Sequence, residues 1–428
     1  MKRFLLVDFG ATRIKTAVVD LNSGKLSSFG NFTCPPNVSK KLGQYELSLK
    51  LVKERFRKIC ESYSDKRIEG IMLCSQMHGF IILDKNNEPL TEYISWMDER
   101  SLEPVKGIST YDLIRKNLGG QFLKITGMNP RPGLPFMNIL HLARQGKLTR
   151  HCKVLSLPEW LVNRSTGLVH DTMAASLGFY DISMRKYSKE LVNFAESEAG
   201  VKFIFNKVVS DIEVAGYWKD IPVYTAVGDL QCAIFGAGNI LNTTVSVNIG
   251  TGSQVSVIVK DRPKFEIEAR PYFGGNYLKT VTHIPAGRAL AVFLGLINDQ
   301  KVRVWKEIKK LKVSDIVSSS LNFDLAVFKS AWNYSSGGSI GNIHEGNFNR
   351  KNYLASLIKN LLNQYVVISK ELVEKDKTYI YILSGGIPKR IPVIKKAFSK
   401  MTGTKVIQTS NNIDETIHGL RKLAIGLR

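Results

Sequence analysis

Two aspartates and two glycine-centred turns are the residues of this chain best suited to chemistry. Asp229 follows an apolar segment and Gly228, at the head of a stretch that reads as a helix toward Gly236. A carboxylate at such a strand end is placed to accept a proton from an incoming hydroxyl, and the same position also suits a helix N-cap. Asp8 lies in Val7–Val19, VDFGATRIKTAVV, where it reads either as a turn aspartate or as the partner of a hydrated cation. The backbone N–H groups of Gly10, Ala11 and Thr12, and of Gly250, Thr251, Gly252 and Ser253, are spaced to cradle phosphate oxygens from two sides.

The elements that must hold these residues show themselves when the chain is compared with itself. Val247–Val259, VNIGTGSQVSVIV, repeats the plan of Val7–Val19: an apolar strand, glycine with small hydroxyl residues, then a valine-rich alternating strand. Each copy predicts a β-hairpin, although two such hairpins also arise by chance. If they are copies, the chain is α/β, with two duplicated actin-like (ribonuclease H-like) lobes around a central cleft. The expected domains are 1–222 and 223–428. Asn248 replaces Asp8 in the second copy, so one turn favours a cation and the other meets phosphate without adding negative charge.

Around the hairpins, 68–83 reads as strand, loop and strand, 139–145 and 157–166 as helices, and 353–373 as a core-facing helix. The Ser/Gly-rich stretch 335–341 reads as a loop. Ser384-Gly385-Gly386 follows the apolar strand 379–383, where glycines let a ligand approach the backbone closely.

In order along the chain, Asp8-Phe9-Gly10-Ala11-Thr12-Arg13-Ile14-Lys15, Gln76-Met77-His78-Gly79, Trp96-Met97-Asp98-Glu99-Arg100, Gly228-Asp229-Leu230-Gln231, Asn248–Ser253, and Ser384-Gly385-Gly386 with Gly419 resemble the motifs of the FGGY carbohydrate kinases. The resemblance implies ATP-dependent phosphorylation of a sugar hydroxyl, with Asp229 as general base and Mg²⁺ partnered by Asp8 and Asp229. It places ATP on Gly10, Ala11, Thr12, Lys15, Gly250, Thr251, Gly252, Ser253, Ser384, Gly385, Gly386 and Asp414. It places the sugar on Gln76, Met77, His78, Trp96, Asp98, Arg100 and Gln231. Bottom-up chemistry agrees, because phosphoryl transfer asks for an in-line hydroxyl, an acceptor for its proton, and cations and N–H donors for the phosphates.

The run Gly228–Leu278 is most similar to the sedoheptulokinase branch, which implies a ketose acceptor, with xylulokinase- or ribulokinase-like pentulose kinases as the alternative. Ala11, where the family usually has Thr, and Ile387-Pro388-Lys389-Arg390 depart from the pattern. Rival readings are a sugar-binding pseudokinase, against which both Asp8 and Asp229 argue, and an actin-like chaperone or filament ATPase, which has no use for residues 76–79 and 96–100.

Composition sets the outer bounds. With 44% hydrophobic and 23% charged residues the 428-residue chain is globular. No apolar run is long enough to span a bilayer, and the start fits no signal peptide, so a cytoplasmic location is expected. Five cysteines without a C-x-x-C pair argue against disulfides or a zinc site. The net charge of +23 is scattered, with clusters only at Lys306, Lys309, Lys310 and Lys312 and at Lys389, Arg390, Lys395 and Lys396. It therefore reads as solvated surface, with sugar and ATP as partners rather than nucleic acid or membrane; a homodimer is compatible with the resemblance.

Overall fold

The structure, a computed structural model, describes residues 2–162, 165–264, 266–297, 301–374, 377–409 and 414–427. The backbone forms two compact units. The first comprises Met1–Gly236, Arg262–Tyr277 and Asp414–Arg428; the second comprises Ala237–Asp261 and Leu278–Ile413.

In the first unit, β1 (Arg3–Phe9), β2 (Arg13–Asp20) and β3 (Leu26–Thr33) form an antiparallel meander. β4 (Ile68–Ser75) adds parallel to β1, and β5 (Val214–Trp218) and β6 (Ile221–Tyr224) complete the sheet in the order β5-β6-β4-β1-β2-β3. β1 and β4 are almost continuously apolar and buried, as strands covered on both faces must be. Leu5, Val7, Val18 and Leu73 pack with Val52, Phe56 and Ile59 of the amphipathic helix Leu49–Glu61. A second apolar cluster, including Phe80, Phe122, Phe136, Leu140 and Phe179, surrounds the fully sequestered helix Pro135–Arg144.

In the second unit, β7 (Thr244–Ile249) and β8 (Gly252–Val259) form an antiparallel hairpin, and β10 (Ile380–Ser384) lies parallel to β7. With β9 (Tyr277–Pro285) and β11 (Val406–Gln408) the order is β9-β8-β7-β10-β11, which repeats the β3-β2-β1-β4-β6 order of the first unit. The two hairpins read from the sequence are therefore equivalent parts of equivalent sheets. The second turn is one residue shorter, since Phe9 faces Ile14 while Ile249 faces Ser253.

Three local expectations change. The helix expected over 157–166 ends at Leu161, where Val162 turns extended (φ −80°, ψ 134°) and the Thr166 N–H is taken by the Ala215 carbonyl; residues 163 and 164 lie outside the described residues. In 335–341, Ser339–Gly341 pairs antiparallel with Asn322–Asp324, so part of the expected loop is strand. The division of contacts falls after Gly236 rather than after residue 222, because Val227–Gly228 still pairs with β4 and helix Asp229–Gly236 packs on the final helix, Glu415–Gly426.

That last packing is unusually close. A Cβ built on Gly236 would lie 1.8 Å from the Glu415 carbonyl oxygen, and one on Gly419 would lie 2.1 Å from the Cys232 carbonyl oxygen. Both positions need glycine for approach rather than for backbone torsion. Among the described residues no helix is long and apolar enough to cross a membrane.

Gly419→Ala should force the two helices apart at a cost of about 1–3 kcal/mol. Gly426→Ala, at a glycine on the same helix with nothing within 4 Å, should be neutral or slightly stabilising. Urea denaturation of the two variants beside the parent checks the contrast.

Candidate active site

The spacing of Asp8 and Lys15 has a structural reason: they are directly opposed across the first hairpin, and Asp8 also faces Cys74 on β4. Lys15 Nζ lies 3.5 Å from Asp8 Oδ2 and 2.6 Å from Asp414 Oδ2. Asp414 caps the final helix, accepting from the Thr416 N–H at 3.1 Å. The Thr416 hydroxyl lies 2.7 Å from Asp8 Oδ2 and 2.6 Å from Asp414 Oδ1. One hydroxyl proton serves one carboxylate at a time, so Asp8 and Asp414 compete for it, with the Lys15 ammonium beside both.

Asp229 begins its helix and accepts from the Leu230 N–H at 2.8 Å. Its side chain keeps some accessible surface, yet the surrounding protein dominates: burial first, and the Asp8 charge second, push its carboxyl up to about 7. Burial likewise raises Asp8, opposed by Lys15. Burial alone would lower Lys15; Asp8 and Asp414 outweigh it and hold the ammonium above its usual value. Three carboxylates thus share one lysine, and a proton acceptor poised near neutrality results.

Beside this centre lies a set of polar atoms without partners. Ser75 Oγ, Gln76 Nε2 and Oε1, Tyr93 Oη, Gln231 Oε1 and Tyr272 Oη are buried and make no hydrogen bond. Ser75 is opposite Gly228, and a Cβ on Gly228 would meet both Gln231 Oε1 and the Met77 sulfur, so several of these groups converge on the Asp229 turn. Buried orphans are costly, and their concentration here is what a polyhydroxylated ligand would satisfy. His78 is held in the left-handed region (φ 60°), and its Nδ1–H donates to the Ser176 carbonyl at 2.9 Å, leaving Nε2 an acceptor.

The other expected sugar contacts divide. Trp96 is exposed (42%) and available for stacking. Asp98 and Arg100, expected to touch the sugar, are closed on each other: Asp98 accepts from Arg100 Nε and Nη2 at 2.7 Å each and from the Tyr45 N–H, while Arg100 also reaches Glu46. This buried pair, with Asn138 donating to the Asp98 carbonyl, holds the Trp96 turn in place.

Within the second unit, Asn248 stands where Asp8 stands in the first and donates to Ser384 Oγ at 3.0 Å; Gln254 takes the place of Lys15. The second turn is therefore neutral. Thr251 and Gly252 are exposed, but two expected phosphate contacts are already committed: the Gly250 N–H donates to the Gly252 carbonyl at 3.0 Å, and the Ser253 hydroxyl pairs with Tyr365 at 2.7 Å. Gly385 has φ 92°, and a Cβ there would lie 2.5 Å from the Ile249 carbonyl oxygen, which fixes Ser384-Gly385-Gly386 against the hairpin. Gly10, Ala11 and Thr12 form an exposed to half-buried turn above Asp8. Sequence reasoning missed Thr416; only the D-x-T pattern at 414–416, an N-cap signature, pointed to it.

The duplicated sheets, with a carboxylate and an unpaired polar pocket at the strand ends of one of them, define a phosphotransferase-like α/β protein. Residues 4–236 match the sequence profile described as the FGGY family of carbohydrate kinases, N-terminal domain, and the chain belongs to this family. It is 22% identical over 346 residues to a xylulose kinase of Staphylococcus xylosus, covering 74% of this chain and 68% of that one. It is 23% identical over 279 residues to a gluconokinase of Bacillus subtilis (strain 168), covering 62% of this chain and 53%, about half, of that relative. Ligand-bound xylulose kinase from Lactobacillus acidophilus superposes with a TM-score of 0.82 at 19% identity, over 100% of this chain and 90% of that one. The fold is accordingly the actin-like, ribonuclease H-like fold of FGGY kinase structures.

Burial holds His170 and His141 down to about 4, and burial with the Arg270 charge holds His78 down to about 3. Their folded values lie below the unfolded value near 6.5, so the stability they contribute is present above about pH 6.5 and is lost as pH falls toward 4. The loss is about 2 kcal/mol per histidine at pH 5. Asp171, raised by burial to about 6, and Asp229, raised to about 7, titrate in the opposite sense and offset part of it. Urea melts at pH 7 and pH 5 should therefore show a clear drop in the parent and a smaller drop in His170→Gln.

Proposed function

We propose that the protein transfers the γ-phosphoryl group of ATP to a hydroxyl of a sugar or sugar-derived polyol, with Asp229 taking the hydroxyl proton. The observation that carries this is Asp229 itself, a carboxylate poised near neutrality beside a buried pocket of unpaired polar groups. Gln76, His78 Nε2, Gln231 and Tyr272 bind and orient the acceptor, Met77 lines it and Trp96 packs on its carbon skeleton. Asp98 and Arg100 act through the Trp96 turn they hold. On the first unit the turn at Gly10–Thr12 suits phosphate, and Lys15 and Asp414 set the charge around Asp8; on the second unit Thr251–Gly252 and Ser384-Gly385-Gly386 suit a nucleotide. In domain terms, the first sheet and its insertions take the sugar, and the second sheet takes the adenosine.

Among the described residues no group of three or more His, Cys, Asp or Glu is placed to hold an ion by itself. The residues fit a cation that keeps its waters and phosphate oxygens: Asp8 and Asp229 raise each other's energy, and Mg²⁺ shared with ATP would relieve that and neutralise developing phosphate charge. Lys15, opposite Asp8, would remain to hold Asp414 in place.

The ketose expected from the sequence has narrower support. The relatives described above are a xylulose kinase and a gluconokinase, and the sedoheptulose reading rests on the resemblance of Gly228–Leu278 and on the polar groups of Gln231, Gln254 and Tyr272, which suit any polyhydroxy acceptor. Pentuloses such as xylulose or ribulose fit the same groups.

Asp229→Asn removes the proton acceptor without changing its shape, so turnover should fall by at least ~10²-fold while sugar and nucleotide binding stay near normal. Steady-state kinetics beside calorimetry checks this; retained turnover would place the base elsewhere.

A further inference from the structure

The short buried helix Asp171–Ser176 is hydrogen-bonded to the proposed site at both of its ends. In its first turn the Thr172 hydroxyl accepts from the Gly228 N–H at 3.1 Å, one residue before Asp229. At its last residue the Ser176 carbonyl accepts from His78 Nδ1 at 2.9 Å. One rigid element of the first unit therefore links the proton acceptor to a histidine that binds the sugar.

His170, the cap of the same helix, fixes the direction of the Thr172 hydroxyl. His170 Nδ1 accepts from the Thr172 N–H at 3.3 Å, so that nitrogen carries no proton. The hydroxyl, 2.9 Å from the same nitrogen, must then donate to it. Its oxygen lone pairs are left for the Gly228 N–H, and burial keeps the imidazole neutral, which preserves this order. Asp171 anchors the first turn, where Oδ2 accepts from Arg185 Nη1 at 3.1 Å and from the Ser210 hydroxyl at 3.2 Å. Arg185 also donates to the Asn276 carbonyl at 3.2 Å, just beyond Tyr272.

Gly228 is where this chain of hydrogen bonds matters. Glycine has the widest choice of backbone torsions, and this one directly precedes the residue that takes the proton. Val227 and Gly228 pair with β4, yet the Gly228 N–H is taken by Thr172. Without that hydroxyl the buried N–H would lose its partner, and the peptide rotation that relieved the loss would swing Asp229. Resting on the reading of Asp229 as the proton acceptor, we infer that Thr172 is a positioning residue for phosphoryl transfer: its hydroxyl, oriented by His170, holds the Gly228 peptide so that the Asp229 carboxylate points at the sugar hydroxyl. In that role Thr172, fully buried, contacts neither sugar nor nucleotide, so it acts on turnover rather than on binding. A residue that only held the fold together would change the melting temperature and leave turnover per folded molecule as it was.

A double-mutant cycle on the intact protein separates the two roles, with ATP and the best acceptor among D-xylulose, D-ribulose, sedoheptulose and D-gluconate. Thr172→Val keeps the shape and removes the hydroxyl, so kcat should fall at least ~10-fold while KM for ATP and for the sugar changes by less than ~3-fold. Thr172→Ser, which keeps the hydroxyl, should recover most of the loss. In Asp229→Asn, where no proton acceptor is left to aim, adding Thr172→Val should cost less than ~2-fold. Thr172→Ala is measured beside Thr172→Val, so that a poor fit of the second valine methyl does not decide the outcome. Unchanged kcat in both single variants, an equal fall in the Asp229→Asn background, or a loss confined to KM would overturn the inference. Full turnover by Asp229→Asn alone, or no turnover by the parent on any of the four acceptors, would sink the reading of Asp229 itself and the inference with it.

Discussion

The arrangement at Asp8 depends on an electrostatic conflict: three carboxylates, Asp8, Asp229 and Asp414, gathered on one unit around a single lysine. Water would disperse such charge, but burial concentrates it and pushes Asp229 toward neutrality. The conflict persists because packing over-determines it. Asp8 is fixed by the β1–β2 register, Asp229 by the strand-to-helix turn after Val227–Gly228, and Asp414 by its place as a helix cap. None of the three can move away without giving up buried apolar contacts or a helix end.

The return of the chain's last helix to the first unit supplies the third of those constraints. Glu415–Gly426 lies against Asp229–Gly236 at a distance only glycine permits, and Cys232 donates its thiol to the Thr416 carbonyl at 3.2 Å across the contact. Cys74, opposite Asp8, completes an apolar and weakly polar floor beneath the carboxylates. Burial pushes the Cys74 thiol up rather than activating it, so it fills space and excludes water. Local sequence, a D-x-T cap and two glycines, thereby sets the electrostatics of a site whose Asp8 and Lys15 lie 408 and 399 residues from their partners Thr416 and Asp414.

The duplicated hairpins were legible because strand alternation and glycine turns are local signals, and the same holds for the helix at 353–373, found at Arg350–Leu372. Asp229 was legible as a carboxylate at a strand end. Hydrogen-bond commitments were not. Asp98 and Arg100 form a bidentate pair, and the Ser253 hydroxyl lies on Tyr365, more than a hundred residues away, commitments that local spacing does not reveal. Glu268 and Arg270 sat unnoticed between motifs because neither belongs to a repeat, a cap or a turn. Glu268 pairs with both Arg131 and Arg270, a connection that sequence spacing does not reveal.

The central claim is that Asp229 meets the hydroxyl that is phosphorylated, within a pocket whose unpaired polar atoms the acceptor fills. The most direct measurement is a crystal structure of the protein with its preferred acceptor and a non-hydrolysable ATP analogue. The account predicts one acceptor hydroxyl within about 3 Å of an Asp229 carboxylate oxygen and facing the γ-phosphate, with Gln76 and Gln231 hydrogen-bonded to the acceptor. An acceptor hydroxyl facing the γ-phosphate with Asp229 turned away, or an acceptor bound apart from Gln76 and Gln231, would contradict it.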